Sequence, residues 1–459
     1  MGRHTAAIRP ATYILRSIQR LAWSVLLVPA CVIAAQSLAP GRADRAVQQF
    51  NTKELREAIG SMSNGPQRAY FSGVLASREG RDGDCIRLLT SALPSLRSTR
   101  PDRAAVALRL LADAFDRTFA YSRAVAAYDE LLEHFSSQLE STDLHGAQDD
   151  SSLAKVLARS PGQTIAWRGP VRISIRRDNP LGLITTDLTV NGVLSPWILD
   201  TGANQTVVSR SFAMKLGLMM LPGHSQTAGG VTGLENPLQA AILPTLAIGG
   251  ATLHNVVLLV LDDPNMTISN GKGQQYTIPA IIGFPVLRAL GKLTFRHAGL
   301  LDANANGVDS NAGSPLELKL LNPVAEPVVE HQMLPFTIDT GASSTTLSVR
   351  FYRQFQSEKS TWNRVETKSF GAGGGTSTNA YLVPSLPLTV GGRTIVLKHL
   401  AVLPSAQGAD IDVLFGNIGE DLLQSVASFT LDFTQMRFVL GQPLARSPTK
   451  PGSRTTSVP

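Results

Sequence analysis

The chain has 459 residues, enough for two or three domains, and its 43% apolar and 17% charged content is that of an ordinary globular protein. The formal net charge of +7 does not point to nucleic acid, because the excess sits in acid-free tails: Arg3, Arg9, Arg16 and Arg20 in residues 1–20, and Arg446, Lys450 and Arg454 in residues 441–459. The two cysteines and eight scattered histidines show no metal-ligand spacing, so no metal or cofactor is expected and the fold must rest on its core.

Residues 1–39 have the layout of an export signal: a basic segment ending at Arg20, an apolar run from Leu21 to Ala30, then small residues around Ala34, Ala35 and Ala39. This predicts an exported, periplasmic or secreted protein. Residues 21–39 are also about long enough for a membrane anchor, although Pro29 and Gln36 weaken that reading. Val28-Pro29-Ala30-Cys31 loosely resembles a lipidation site. Cleavage, anchoring and lipidation stay open.

Residues 40–140 are helical in pattern. Leu108, Leu111, Ala112 and Phe115 recur at helical spacing, as do Ala124, Tyr128 and Leu131. This spacing is similar to a tetratricopeptide repeat, with an earlier copy at Gly73, Ala76, Gly80, Cys85 and Leu89. A repeat pair would offer a surface to a protein partner; a generic bundle and a pro-segment stay open. Residues 141–169 are polar and read as a linker with one short helix at most.

From residue 170 the period changes to two. Val171, Ile173 and Ile175 alternate with polar residues, Asn191-Gly192 marks a hairpin turn, and Trp197-Ile198-Leu199 is a strand ending in Asp200-Thr201-Gly202-Ala203. A short helix from Ser209 to Leu216 follows, then a glycine loop with Gly229, Gly230 and Gly233, a hairpin turn at Gly249-Gly250, and Ile281-Ile282-Gly283. The same order returns in residues 316–441. Phe336-Thr337-Ile338 leads into Asp339-Thr340-Gly341-Ala342, 139 residues on. A helix from Val349 to Phe355, a glycine loop with Gly371, Gly373 and Gly374, and a turn at Gly391-Gly392 follow. Val413-Leu414-Phe415-Gly416-Asn417 is matched to Ile281-Ile282-Gly283 at an offset near 133. The chain thus reads as a duplication, residues 170–300 and 316–441, joined by a linker at 301–315 and trailed by a disordered tail at 442–459. Asp302-Ala303-Asn304-Ala305-Asn306-Gly307-Val308-Asp309 resembles the start of a calcium loop, but its twelfth position is Gly313 and not Glu, so it is read as linker.

In the order of its landmarks each unit resembles the bacterial retropepsin-like aspartyl proteases. The resemblance implies a mainly β fold: two retropepsin-like β-barrel lobes related by pseudo-twofold symmetry, preceded by the helical domain. It implies an aspartic endopeptidase in which Asp200 and Asp339 hold the attacking water, with no cofactor. Thr201 and Thr340 would cross-bond the two turns, Gly202 and Gly341 would allow their close approach, and Ala203 and Ala342 would support the site. The glycines at 229, 230, 233, 371, 373 and 374 would form flaps over a peptide or unfolded protein substrate. Elementary chemistry agrees: two carboxylates brought together cannot both ionise, so one serves as base while the other keeps its proton. One unit supplies one carboxylate, which accounts for the duplication. Pepsin-like enzymes carry Ser or Thr where Ala203 and Ala342 stand, so a hydrogen bond to the ionised carboxylate is missing and activity is expected nearer neutral pH. A monomer is expected, with a homodimer not excluded. A catalytically inactive peptide-binding protein, and a scaffold acting through its helices, stay open.

Overall fold

The computed structural model describes residues 38–228, 235–269, 275–304, 313–371, 374–405 and 412–444. The predicted export signal up to residue 37, the tail from 445, and the glycine-loop residues 229–234 and 372–373 lie outside the described residues.

The N-terminal part is built from α1 (38–48), α2 (Thr52–Gly60), α3 (Pro66–Arg78), α4 (Asp82–Thr99), α5 (Pro101–Arg117), α6 (Tyr121–His134) and α7 (Ser141–Leu157). Local chemistry sets several of the ends. Asn51 caps α2 by accepting from the Glu54 amide, and prolines open α3 and α5, where an amide would be unpaired in any case. Gly73 allows close helix contact, since a Cβ there would lie 2.5 Å from Leu89 Cδ2. Phe71, Leu89, Leu108, Ala124, Tyr128 and Leu131 fill the helical core. The last helix corrects the sequence reading: Ser141–Leu157, expected as linker, is a 17-residue helix. Its buried positions are Ala147, Ser151, Ala154 and Leu157, too small and too few to announce it.

Two β regions follow, so the chain is a mixed α and β fold rather than a mainly β one. In the first, strands run in the spatial order Thr185–Val190, Val193–Leu199, Ala280–Ile282, Thr206–Ser209, Ala251–Leu261, Glu235–Ile248, Ser225–Ala228. The turn predicted at Asn191-Gly192 has both residues at positive φ (48° and 79°), as a two-residue hairpin turn requires. In the second region the strand Phe336–Ile338 lies parallel to Gly416–Ile418, just as Val193–Leu199 lies parallel to Ala280–Ile282.

A ladder joins the two regions. Lys292–Arg296 pairs antiparallel with Ser428–Asp432, from Lys292 opposite Asp432 to Arg296 opposite Ser428. Leu300–Asn304 and Val171–Ser174 extend this sheet on one side, and Arg437–Leu440 and Ser314–Lys319 on the other. Across the seam Phe295 stacks on Phe429 with ring centroids 4.6 Å apart, and the hydroxyls of Thr294 and Thr430 are 2.9 Å apart. One apolar core runs from Val171 to Leu440 through both regions, while the helices have their own.

The helices are fastened to the β regions by buried polar contacts. Asp82 of α4 lies between Arg117 of α5 (2.7 Å) and Arg288 (2.8 Å), and Arg117 also donates to the Leu320 carbonyl. Thr52 donates to Glu317 (2.7 Å). Leu153, Val156 and Leu157 of α7 join a cluster with Leu221, Leu238 and Ile242 of the first β region.

Candidate active site

Each Asp-Thr-Gly turn begins where an apolar strand ends. The Asp200 amide donates to the Ile282 carbonyl (3.0 Å) and the Asp339 amide to the Ile418 carbonyl (2.9 Å), which holds each turn against a second strand of its own region. Gly283 and Gly419 follow those carbonyls, and their amides donate to Thr206 Oγ1 (3.2 Å) and Thr345 Oγ1 (3.1 Å). The match made in the sequence is therefore corrected: the counterpart of Gly283 is Gly419, 136 residues on, and not Gly416. A Cβ on either would strike backbone, at Gln205 (2.2 Å) or Ser344 (2.6 Å).

The two turns meet. The Thr201 amide donates to Thr340 Oγ1 and the Thr340 amide to Thr201 Oγ1, both at 3.1 Å. Thr201 Oγ1 in turn donates to the Ile338 carbonyl and Thr340 Oγ1 to the Leu199 carbonyl, both at 2.7 Å. Both threonines are fully buried, so four bonds tie the turns together away from water. The glycines permit the approach. A Cβ on Gly202 would lie 2.6 Å from Asp339 Cγ, and one on Gly341 would lie 2.2 Å from Asp200 Cγ. Each carboxyl thus rests against the glycine of the opposite turn.

Their surroundings differ. Asp200 Oδ1 accepts from the amides of Gly202 (2.8 Å) and Ala203 (3.1 Å). Asp339 Oδ1 accepts from the Gly341 amide (2.8 Å), while the Ala342 amide turns to the Asp339 main-chain carbonyl (3.3 Å). Asp339 Oδ2 accepts from the side-chain amide of Asn417 (2.9 Å). Burial, then the charge of Asp339, pushes the Asp200 carboxyl well above the usual carboxylate range, against the pull of the Gly202 and Ala203 amides.

Sequence reading missed Asn417 as a site residue. Register gives its meaning. Asn417 lies opposite Thr337 and Thr346 on its two neighbouring strands, and its counterpart Ile281 lies opposite Ile198 and Val207. One row beside the carboxylates is therefore Ile198-Ile281-Val207 in the first region and Thr337-Asn417-Thr346 in the second. The apolar row is buried in a cluster with Met266 and Ile278, whereas the polar row is half-buried. The signal lies in Asn417-Ile418-Gly419, a polar residue two places before the closing glycine.

Glu420 was also missed. Its amide donates to the Ala342 carbonyl as that of Phe284 does to Ala203, so a carboxylate takes the place of a phenyl ring. Glu420 is fully buried, and Arg177 reaches across from the first region to its Oε2 (2.7 Å). Burial raises its carboxyl, and Arg177 opposes the rise. Beyond Thr345, whose amide and hydroxyl both donate to Asp421, lies a cleft of about 440 Å³ lined by Glu366, Leu382, Lys398, His399 and Ala401 among others.

Of the glycines expected in flaps, Gly229, Gly230, Gly233 and Gly373 lie outside the described residues. Gly371 and Gly374 are paired across the end of the hairpin formed by Asn363–Gly371 and Gly374–Val390. Among the described residues no group of three or more His, Cys, Asp or Glu is arranged to hold a metal ion, and no helix is long and apolar enough to cross a membrane.

Residues 186–286 match the family model described as "Aspartyl protease". No curated protein matches the chain. Among solved structures it is similar to basic 7S globulin from soybean, at 13% identity over 60% of this chain and 95% of that one, with a TM-score of 0.39. An aspartic proteinase from Irpex lacteus has 13% identity over 60% of this chain and 98% of its own, with a TM-score of 0.39. A retropepsin-like aspartic protease from Rickettsia conorii has 22% identity over 31% of this chain and 92% of its own, with a TM-score of 0.22.

Proposed function

We propose that the protein is an aspartic endopeptidase whose two β regions are retropepsin-like lobes related by a pseudo-twofold axis. The observation that carries this reading is the reciprocal locking of the two Asp-Thr-Gly turns, with each carboxyl set against the glycine of the other turn. In the reaction, water lies between the carboxyl groups of Asp200 and Asp339. The ionised one takes a proton from the water as its oxygen attacks the peptide carbonyl carbon, and the protonated one gives its proton to the carbonyl oxygen. A tetrahedral gem-diol results. Proton transfer to its nitrogen lets the C–N bond break, releasing an amine and a carboxylic acid. The substrate is a peptide or an unfolded protein chain, extended between the lobes under the glycine-tipped hairpins. The helical domain positions the lobes or a protein partner, and the whole acts as an exported monomer.

Cleavage of an unfolded protein between about pH 3 and pH 8 by the wild type, Asp200→Asn and Asp339→Asn tests this reading. Cutting by the wild type and none by either variant supports a shared site. Peptide binding without cutting by any of the three would leave an inactive peptide-binding protein as the function.

A further inference from the structure

We propose that Asn417 makes the two carboxylates unequal, holding Asp339 as the ionised member and leaving the shared proton on Asp200. This deepens the proposed function by assigning the base to Asp339 and the acid to Asp200, and Asn417 acts as a positioning residue through Asp339.

The argument lies in where the donors fall. Each carboxyl receives two amide donors, but they are distributed differently. Both donors to Asp200 share Oδ1, and among the described residues no amide reaches its Oδ2. Asp200 can therefore carry a proton on Oδ2 while Oδ1, then the carbonyl oxygen, keeps both bonds. Asp339 has a donor on each oxygen, Gly341 on Oδ1 and Asn417 on Oδ2. A proton on either oxygen turns that oxygen into a hydroxyl, a poorer acceptor, and weakens one of the bonds. The proton therefore rests at lower cost on Asp200.

The Asn417 amide is itself oriented. Thr337 Oγ1 lies 2.5 Å from Asn417 Oδ1, and a hydroxyl donating to that oxygen fixes the NH2 toward Asp339. The first region has no such device, since Ile281 and Ile198 stand in the equivalent places. The other charged groups around the pair do not override it. Glu420, which senses the charge of Asp339, is matched by Arg177. Asp421 accepts from Thr345, and Glu366, Lys398 and His399 line the cleft that Thr345 and Asp421 also line.

The expected effect has a specific form. Asn417 stabilises both states in which Asp339 is ionised, the singly and the doubly ionised pair, and only the neutral pair lacks that support. Removing it should raise the first ionisation step and leave the second in place. Titration of ¹³C-labelled aspartate carboxyls, assigned through Asp339→Asn and Asp200→Asn, reads this whether or not the protein cuts peptides. In the wild type Asp339 should ionise in the first step. In Asn417→Ile that step should rise by about 1 pH unit with the second unmoved, and the acid limb of kcat/KM against pH should rise with it. Thr337→Val, which keeps Asn417 but frees its amide, should shift the first step the same way by less, and it serves if Asn417→Ile fails to fold. The proposal is overturned if Asp200 ionises first, if the first step stays in place in both variants, or if both steps move together. A protein that cuts nothing but titrates as described would refute the endopeptidase reading and leave this assignment standing.

Discussion

The bonds between the two turns can be tested one hydroxyl at a time. Replacing Thr201 by Val keeps the shape of the side chain and removes its oxygen. That oxygen is the acceptor of the Thr340 amide at 3.1 Å and the donor to the Ile338 carbonyl at 2.7 Å, in a fully buried setting. A buried polar group left without its partner costs roughly 1–3 kcal/mol, so the two together should cost about 2–6 kcal/mol. At about 2–4 °C per kcal/mol for a unit of this size, the melting temperature should fall on the order of 4–24 °C. The assay is urea and thermal unfolding of the wild type, Thr201→Val and Thr201→Ser side by side. Ser keeps both bonds and loses only a methyl group, at about 1 kcal/mol. If Thr201→Val unfolds within about 0.5 kcal/mol of Thr201→Ser, those buried groups find other partners and the locking argument fails.

Other expectations follow from single contacts. Gly341→Ala places a Cβ 2.2 Å from Asp200 Cγ and should abolish cleavage with little change in circular dichroism; full activity would mean the turns do not approach as described. Ala203→Ser with Ala342→Ser adds a hydroxyl donor beside each turn, one of them near the ionised carboxylate, so the acid limb of the pH profile should move down, and an unmoved profile counts against this account of the neutral shift. Burial and the charge of Glu326 push Glu317 up to about 7, against Thr52 and Arg78. Its folded pKa lies above the unfolded one, so the folded state holds the extra proton and stability falls as pH rises from about 4.5 to about 7. Glu317→Gln should remove that slope and stabilise the protein at pH 8 by about 3 kcal/mol, read from urea midpoints at pH 5 and pH 8.

What the sequence disclosed was whatever local geometry makes necessary. Asn191-Gly192 announced its hairpin because both residues must take positive φ, and the two Asp-Thr-Gly-Ala turns stood out because each follows a buried strand. What it hid was non-local. The pairing of Lys292–Arg296 with Ser428–Asp432 leaves no mark on either strand, since alternation shows that a strand has a face and not which strand lies beside it. Gly416 and Gly419 both follow apolar residues and both sit too close to backbone for a Cβ, so spacing alone could not say which one closes the turn. Asn417 stands between them with nothing in the local sequence to assign it a partner. Only the register, which sets it opposite Thr337 and beside Asp339, gives it a role.

That register also bears on why the two units share one chain. A symmetric homodimer of one unit would present the same row to both carboxylates: Ile198-Ile281-Val207 twice, or Thr337-Asn417-Thr346 twice. Either choice makes the carboxyl groups equivalent, so that neither has a fixed assignment as base or acid. Joining the units lets the rows differ, and it lets Glu420 stand where Phe284 stands in the first unit, with Arg177 brought across to meet it. The ladder between Lys292–Arg296 and Ser428–Asp432 then holds unlike partners in one register, as a covalent link and a shared core can and a weak dimer at low concentration cannot. The duplication supplies the second carboxylate, and under the proposed reading the divergence around it fixes which of the two keeps the shared proton.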